Sequence, residues 1–168
     1  MKGLVFAFIA ALIAVAAGCG KGDNSLDGSL SEVFDLDVST VHVLRNDNAF
    51  AVSYEANNGR DIDLVLRFTL ALDELQFTKG RTIPLAGTTD GGVNRATLLH
   101  NAAGEPARVL PAVRTGEFQL TQGGNPGEVS AGNFSVSFVS DGSYGSGRGV
   151  TGTFHASTLD GGYGDWTP

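Results

Sequence analysis

Apolar and polar residues alternate along most of the chain from residue 33 onward, with a period of two. Successive side chains of a β-strand point to opposite faces, so this alternation predicts strands with one buried and one solvated face. The clearest example covers residues 61–72. Its predicted core row is Ile62, Leu64, Leu66, Phe68, Leu70 and Leu72, and its predicted solvent row is Asp61, Asp63, Arg67 and Thr69.

Turn-forming residues divide the alternating stretches into short strands. The Asn-Asp-Asn sequence at 46–48 separates alternation over 41–43 from alternation over 50–54, which predicts a hairpin. Two further short strands are expected over 82–85 and 93–99. No stretch with helical periodicity longer than a short turn interrupts this pattern. The fold class expected from it is therefore all-β.

Three Gly-x-Phe segments begin at Gly116, Gly132 and Gly152, and Gly-rich turns separate them. This repetition predicts an antiparallel meander in which each Phe begins a core-facing row. Each Gly is expected to allow a bend or bulge at the sheet edge. Together with the earlier strands, the count reaches roughly eight, which predicts an antiparallel β-sandwich or a small barrel.

The amino terminus has a different pattern. Lys2 is its only charge, and residues 4–17 are all apolar, which is shorter than the roughly 20 residues of a membrane-spanning helix. A positive start, a short apolar run and small residues are typical of a secretory signal. Gly18 is followed by Cys19, the only cysteine. This arrangement resembles the lipobox of bacterial lipoproteins, the type II signal-peptide class, with Ala16 where most lipoboxes carry Leu.

The resemblance implies cleavage between Gly18 and Cys19, a diacylglycerol on the Cys19 thiol and an acyl chain such as palmitate on its amine. Two or more chains anchor a protein stably in a membrane. In the sorting rule known for such lipoproteins, a residue other than Asp after the cysteine favours the outer membrane, and here it is Gly20. The alternatives are an ordinary signal peptide that leaves a stray thiol, or a buried structural cysteine. The expected organisation is signal peptide 1–18, lipidated cysteine and flexible tether 19–30, and one all-β domain 31–168.

Charge and cysteine content exclude several classes of protein. The chain has 11 Lys and Arg against 18 Asp and Glu, a net charge of −7, so no basic footprint for nucleic acid is expected. One cysteine excludes an intramolecular disulfide and Cys-based zinc sites. No catalytic signature is present, and His42, His100 and His155 are far apart in sequence. We therefore expect no enzyme activity, no metal and no cofactor.

Two acidic patterns offer weaker candidates for a calcium or sugar site. Asp35 with Asp37, and Asp61 with Asp63, each place two carboxylates on one side of a strand, whereas Ca²⁺ takes six to eight oxygens. A solvated acidic edge is the preferred interpretation. Two Asp-Gly loops near the carboxyl terminus carry aromatic residues that suit stacking on a sugar ring, although Asp-Gly also simply makes turns. Their residues are Asp141, Tyr144, Asp160, Tyr163, Asp165 and Trp166.

The outward side of the meander is rich in hydroxyl and amide groups and lacks Lys. Such a surface suits a glycan or another polar partner, and Glu117 with His155 offers an acid–base pair as a remoter possibility. An ordinary exposed strand face has the same composition. We call this surface the polar face, and its candidate binding residues are Glu117, Gln119, Asn133, Ser135, Thr153 and His155.

These observations lead to an expectation about function. The chain is expected to be a non-catalytic, lipid-anchored β domain that acts as a binding or structural component of the cell envelope, with an envelope protein or glycan as its partner. Its closing stretch at 149–156 resembles the last strand of many small uncharacterised bacterial lipoproteins. One alternative is a lipocalin-like carrier of an apolar ligand, although the early Gly-x-Trp of lipocalins is missing. A second alternative is an envelope glycan hydrolase with two carboxylates in a cleft.

Overall fold

Ten strands form one curled, mixed sheet in the computed structural model, which describes residues 23–57, 59, 61–72 and 77–161. The sheet makes a half-barrel, which confirms the all-β class. The strand count exceeds the predicted eight because β1 and β7 are too short to show alternation. The strands are β1 Ser25–Asp27, β2 Thr40–Arg45, β3 Ala49–Asn57, β4 Ile62–Ala71, β5 Thr82–Pro84, β6 Ala96–Asn101, β7 Arg108–Val109, β8 Val113–Gln122, β9 Val129–Phe138 and β10 Gly149–Asp160.

The predicted hairpin over residues 41–54 is confirmed as the antiparallel pair β2–β3. Its turn is closed by the Asn46 side chain, whose Oδ1 accepts hydrogen bonds from the N–H groups of Asn48 (2.9 Å) and Ala49 (2.8 Å). Asn side chains commonly close turns in this way. The local sequence therefore fixes the register of the two strands.

Strand β10 joins the two halves of the sheet, whose order is β5-β8-β9-β10-β2-β3-β4-β6-β7. It pairs antiparallel with β9 over 149–157, and its last three residues pair parallel with β2. The sheet is therefore mixed, whereas a purely antiparallel arrangement was predicted. Where β10 changes partner, the buried hydroxyls of Ser130 and Thr158 are hydrogen-bonded at 2.5 Å.

Aromatic side chains from both halves fill the concave interior of the sheet. The ring of Phe68 on β4 stacks on Phe118 and Phe134, with centroid distances of 5.6 and 4.5 Å. Phe50 on β3 contacts Phe154 on β10 at 5.8 Å. All five side chains are almost completely buried, so one aromatic core holds the halves together.

Two of the three Gly-x-Phe glycines have a different role from the predicted bend or bulge. Gly132 and Gly152 lie within strands and face the core, because residues two apart on a strand share a face. A Cβ on Gly152 would lie 2.4 Å from the ring of Phe134, and one on Gly132 would lie 2.7 Å from the ring of Phe154. Each glycine therefore makes room for the ring of a neighbouring strand.

Strand β4 is buried on both faces, so the prediction of a solvated row is wrong at Arg67 and Thr69. These side chains are only 6% and 4% exposed. Arg67 lies between Ser53 on β3 and Leu99 on β6. The Nε of Arg67 is itself buried, so the charged end of this side chain is enclosed together with its stem.

The flexible tether predicted over 19–30 extends too far into the domain. Residues 25–27 form β1, which pairs antiparallel with β10, and Ser29–Glu32 form a single 3₁₀ turn. Leu26 lies opposite Gly152, and both Leu26 and Leu30 are buried in the core. Two leucines within a polar stretch thus bring this segment into the fold.

Candidate functional site

The strand registers bring the residues of the polar face together in rows. Gln119, Asn133 and Thr153 are direct neighbours on β8, β9 and β10, and Glu117 and Ser135 form part of the next row. Their side chains point away from the aromatic core because Phe118 and Phe134 take the inward positions between them. The structure therefore places this predicted group on one surface.

Residues 23–25, which lead into β1, extend the polar face and are hydrogen-bonded to β10. The hydroxyls of Ser25 and Thr153 are hydrogen-bonded at 3.0 Å. The His155 N–H donates to Oδ1 of Asn24 at 2.6 Å, and His155 Nδ1 lies 3.2 Å from Oδ2 of Asp23. These three contacts hold residues 23–25 against β10.

A shallow groove of about 490 Å³ runs along this surface between β8, β9 and β10. Asp23 and His155 line one side, and Asn133, Thr153 and Gln122 contribute amide and hydroxyl groups. Such groups both donate and accept hydrogen bonds, and the lining contributed by residues 23–161, as far as they are described, includes no Lys or Arg. This lining suits a neutral, hydroxyl-rich ligand better than a phosphate.

The geometry does not combine Glu117 and His155 into an acid–base pair. Glu117 shares a row with Ser135 and Thr151, and His155 lies four residues further along β10. Strand rise and spacing place the two Cα atoms about 16 Å apart. General acid and base groups that serve one reacting atom must each lie within hydrogen-bond reach of it.

A second cavity, of about 440 Å³, brings together acidic residues that the sequence showed only as separate pairs. Asp35, Asp37 and Asp63 line it, and His100 and Phe34 form a stacked aromatic wall with centroids 3.9 Å apart. Asp35 Oδ1 accepts the Asp37 N–H at 3.1 Å, and Asp63 accepts the N–H of Ala103. Asp61 is exposed and does not line this cavity.

Tyr144 belongs to this aromatic group, which sequence order did not indicate. The centroid of the Tyr144 ring lies 6.0 Å from that of Phe34, and the Arg108 guanidinium lies 4.8 Å from the Tyr144 centroid.

The neighbouring Asp141 stabilises the turn in which it lies. Its Oδ1 accepts the N–H of Ser143 at 2.9 Å as well as the Ser143 hydroxyl, and these hydrogen bonds lower the pKa of the Asp141 carboxyl.

Of the other carboxyl-terminal candidates, only Asp160 is among the described residues. Asp160 is exposed at the end of β10, opposite Arg45 of β2. Tyr163, Asp165 and Trp166 lie outside the described residues, so the paired-loop site predicted from both loops stays a prediction. Gly18 and Cys19 also lie outside the described residues.

Sequence reasoning missed a row of polar side chains on the outward face of β3 and β4, which we call the buried polar row: Ser53, Glu55, Arg67 and Thr69. Glu55 is 4% exposed, and its carboxylate lies 3.4 Å from His42 Nε2. Burial raises the pKa of the Glu55 carboxyl, and the adjacent His42 lowers it to a smaller extent. Alternation alone gives no signal for this burial.

The three histidines lie in three different environments: His42 beside Glu55, His100 against Phe34, and His155 beside Asp23. Among the described residues, no group of three or more His, Cys, Asp or Glu side chains is placed to hold a metal ion.

In the same part of the chain, no helix has the length and apolar character needed to cross a membrane.

Comparisons with known proteins give no relative for this chain: no family profile, no curated protein and no solved structure matches it.

Proposed function

We propose that this chain is a non-catalytic, lipid-anchored domain of the cell envelope that binds a neutral glycan through its polar face. The single observation that carries the binding proposal is the row Gln119, Asn133 and Thr153, which three paired strands hold side by side on an exposed surface. Amide and hydroxyl groups of this kind supply the paired donors and acceptors that sugar hydroxyls need.

The anchor half of the proposal rests on the sequence at Cys19, the only cysteine, directly after a short apolar run and small residues. Strand β1 begins at Ser25, so the lipid-bearing residue would lie six residues before the sheet. A diacylated cysteine would hold the domain at the membrane without help from basic residues.

A binding role agrees with the interior better than the lipocalin-like carrier does. The buried rings of Phe50, Phe68, Phe118 and Phe154 fill the space between the two halves of the sheet. The grooves on the polar face open outward and mix polar with apolar lining groups. A carrier of an apolar ligand needs an enclosed apolar chamber instead.

Labelling with an alkyne analogue of palmitate tests the anchor. We expect the wild-type chain to incorporate the label and to sediment with membranes, and Cys19→Ser to lose both properties. A Cys19→Ser chain that still sediments with membranes would contradict the proposed anchor.

An array of neutral and acidic saccharides tests binding, with the purified lipidated protein held in detergent. We expect neutral glycans to be retained, and the double variant Gln119→Ala/Asn133→Ala to bind about tenfold more weakly, from the loss of two hydrogen bonds. Thr40→Ala, an exposed strand residue on β2, is the control and should bind as wild type does. Equal binding by the double variant and the control would exclude the polar face.

A further inference from the structure

We propose that the groove beside His155 binds the saccharide headgroup of a lipid in the same membrane that holds the anchor. This inference rests on the proposed function, because it takes Cys19 as the lipid-bearing residue and the polar face as the binding surface. It adds the source of the glycan: a glycolipid rather than a free sugar or a distant polymer.

The length of chain between anchor and groove is the first argument. Four residue steps separate Cys19 from Asp23, and an extended chain spans at most about 14 Å over that distance. Asp23 lines the groove, and its contact with His155 holds it against β10. The edge of the groove at Asp23 therefore lies no further than this from the lipidated residue, which brings that edge close to the level of the headgroups.

Tethering raises the concentration of membrane-bound ligands at the groove. A short link between two binding events gives an effective concentration in the millimolar range, which falls roughly as the −3/2 power of linker length. A weak saccharide contact therefore becomes significant for a headgroup in the same leaflet. The same contact with a dilute free sugar gains nothing from the anchor.

The chemistry of the groove selects among headgroups. The carboxylate of Asp23 is 81% exposed and repels phosphate, and none of the described residues that line the groove is a Lys or Arg that would attract it. Carboxylate and amide oxygens accept hydrogen bonds from sugar hydroxyls, and the amides of Asn133 and Gln122 also donate them. A neutral glycosyl headgroup is thus favoured over the phosphate of a phospholipid.

Photo-cross-linking on vesicles tests this inference. The full lipidated protein is placed on phosphatidylethanolamine and phosphatidylglycerol vesicles that contain a digalactosyl diacylglycerol with a diazirine on its headgroup. We expect cross-linked peptides from β9 and β10. Asn133→Ala/Thr153→Val should reduce the yield about tenfold, whereas Thr40→Ala should not change it.

A longer tether isolates the geometric argument. Insertion of about twenty Gly and Ser residues between Gly22 and Asp23 should lower the cross-linking yield at limiting glycolipid about tenfold, because the effective concentration falls with linker length. An unchanged yield would overturn the inference, and so would failure of the membrane-bound wild type to cross-link. A wild-type chain that neither incorporates the palmitate analogue nor sediments with membranes would instead show that the proposed anchor itself is wrong.

Discussion

The two outward faces of the sheet share a pattern in sequence and differ in environment. On β8–β10 the outward side chains, such as Asn133 and Ser135, are exposed and mostly uncharged. On β3 and β4 the outward side chains Glu55 and Arg67 are charged and buried. Period-two alternation reports which way a side chain points, and the surrounding fold decides whether that direction leads to water.

Replacing Arg67 should give the largest effect. Arg67→Ala removes a charged side chain that is 6% exposed. The polar side chains around it stay buried and lose a charged neighbour, so we expect the free energy of unfolding to fall by about 3 kcal/mol. Urea unfolding measures it. Arg114→Ala, at an exposed position on β8, is the matched control and should change stability by less than about 0.5 kcal/mol. Similar losses in the two variants would show that the two faces are energetically alike.

The inward side of the meander should give the next largest effect. Gly152→Ala places a methyl group against the ring of Phe134, and overpacking of this kind costs about 2 kcal/mol. Thermal and urea unfolding measure the loss. Gly152→Ala/Phe134→Leu, in which the ring is removed, should be less sensitive to the added methyl group than the wild-type background is. Equal sensitivity would mean that the glycine is not needed for the ring.

The Glu55 carboxyl should make the stability of the fold depend on pH. Its folded-state pKa is raised above the ordinary value of 4.5 by burial, so the folded chain holds the proton more tightly than the unfolded chain does. Its contribution to stability is therefore lost as pH rises from about 4.5 upward. We expect Glu55→Gln to lose less stability than the wild type between pH 4.5 and 7, by urea midpoints. A parallel pH dependence in both proteins would contradict the assignment.

The exposed face should give the smallest effect on stability. Asn133→Ala removes a side chain that is in contact with water, and we expect a change within about 0.5 kcal/mol. Circular dichroism during thermal unfolding checks this. A large loss would mean that Asn133 supports the fold, and its substitution would then be a poor probe of binding.

The strands could be predicted where local sequence determines them. Asn46 closes the β2–β3 turn through its own side chain, and the alternation around Phe68 identifies β4 directly. The parallel pairing of β10 with β2 could not be predicted, because it depends on how the whole sheet curls. Local patterns carry no information about contacts between residues 43 and 158.

The candidate sites divide in the same way. The outward row through Gln119, Asn133 and Thr153 followed from alternation and the repeated Gly-x-Phe segments. The cavity at Asp35 and Asp63 did not, because its lining comes from segments that only the tertiary fold brings together. Sequence thus predicted the arrangement of side chains on one meander, and did not predict a cavity whose lining comes from the segment before β2 and from strands β3, β4 and β6.

The pairing of β1 with β10 also has a consequence for the order in which the chain folds during its synthesis. Residue 26 can reach its partner at residue 152 only after the 126 residues that follow it have been synthesised. Pairings this distant in sequence form late, because a long loop must close first. Strand β1 therefore pairs only after β10 has been synthesised, and a chain that is still emerging keeps residues 25–27 without their partner strand until then.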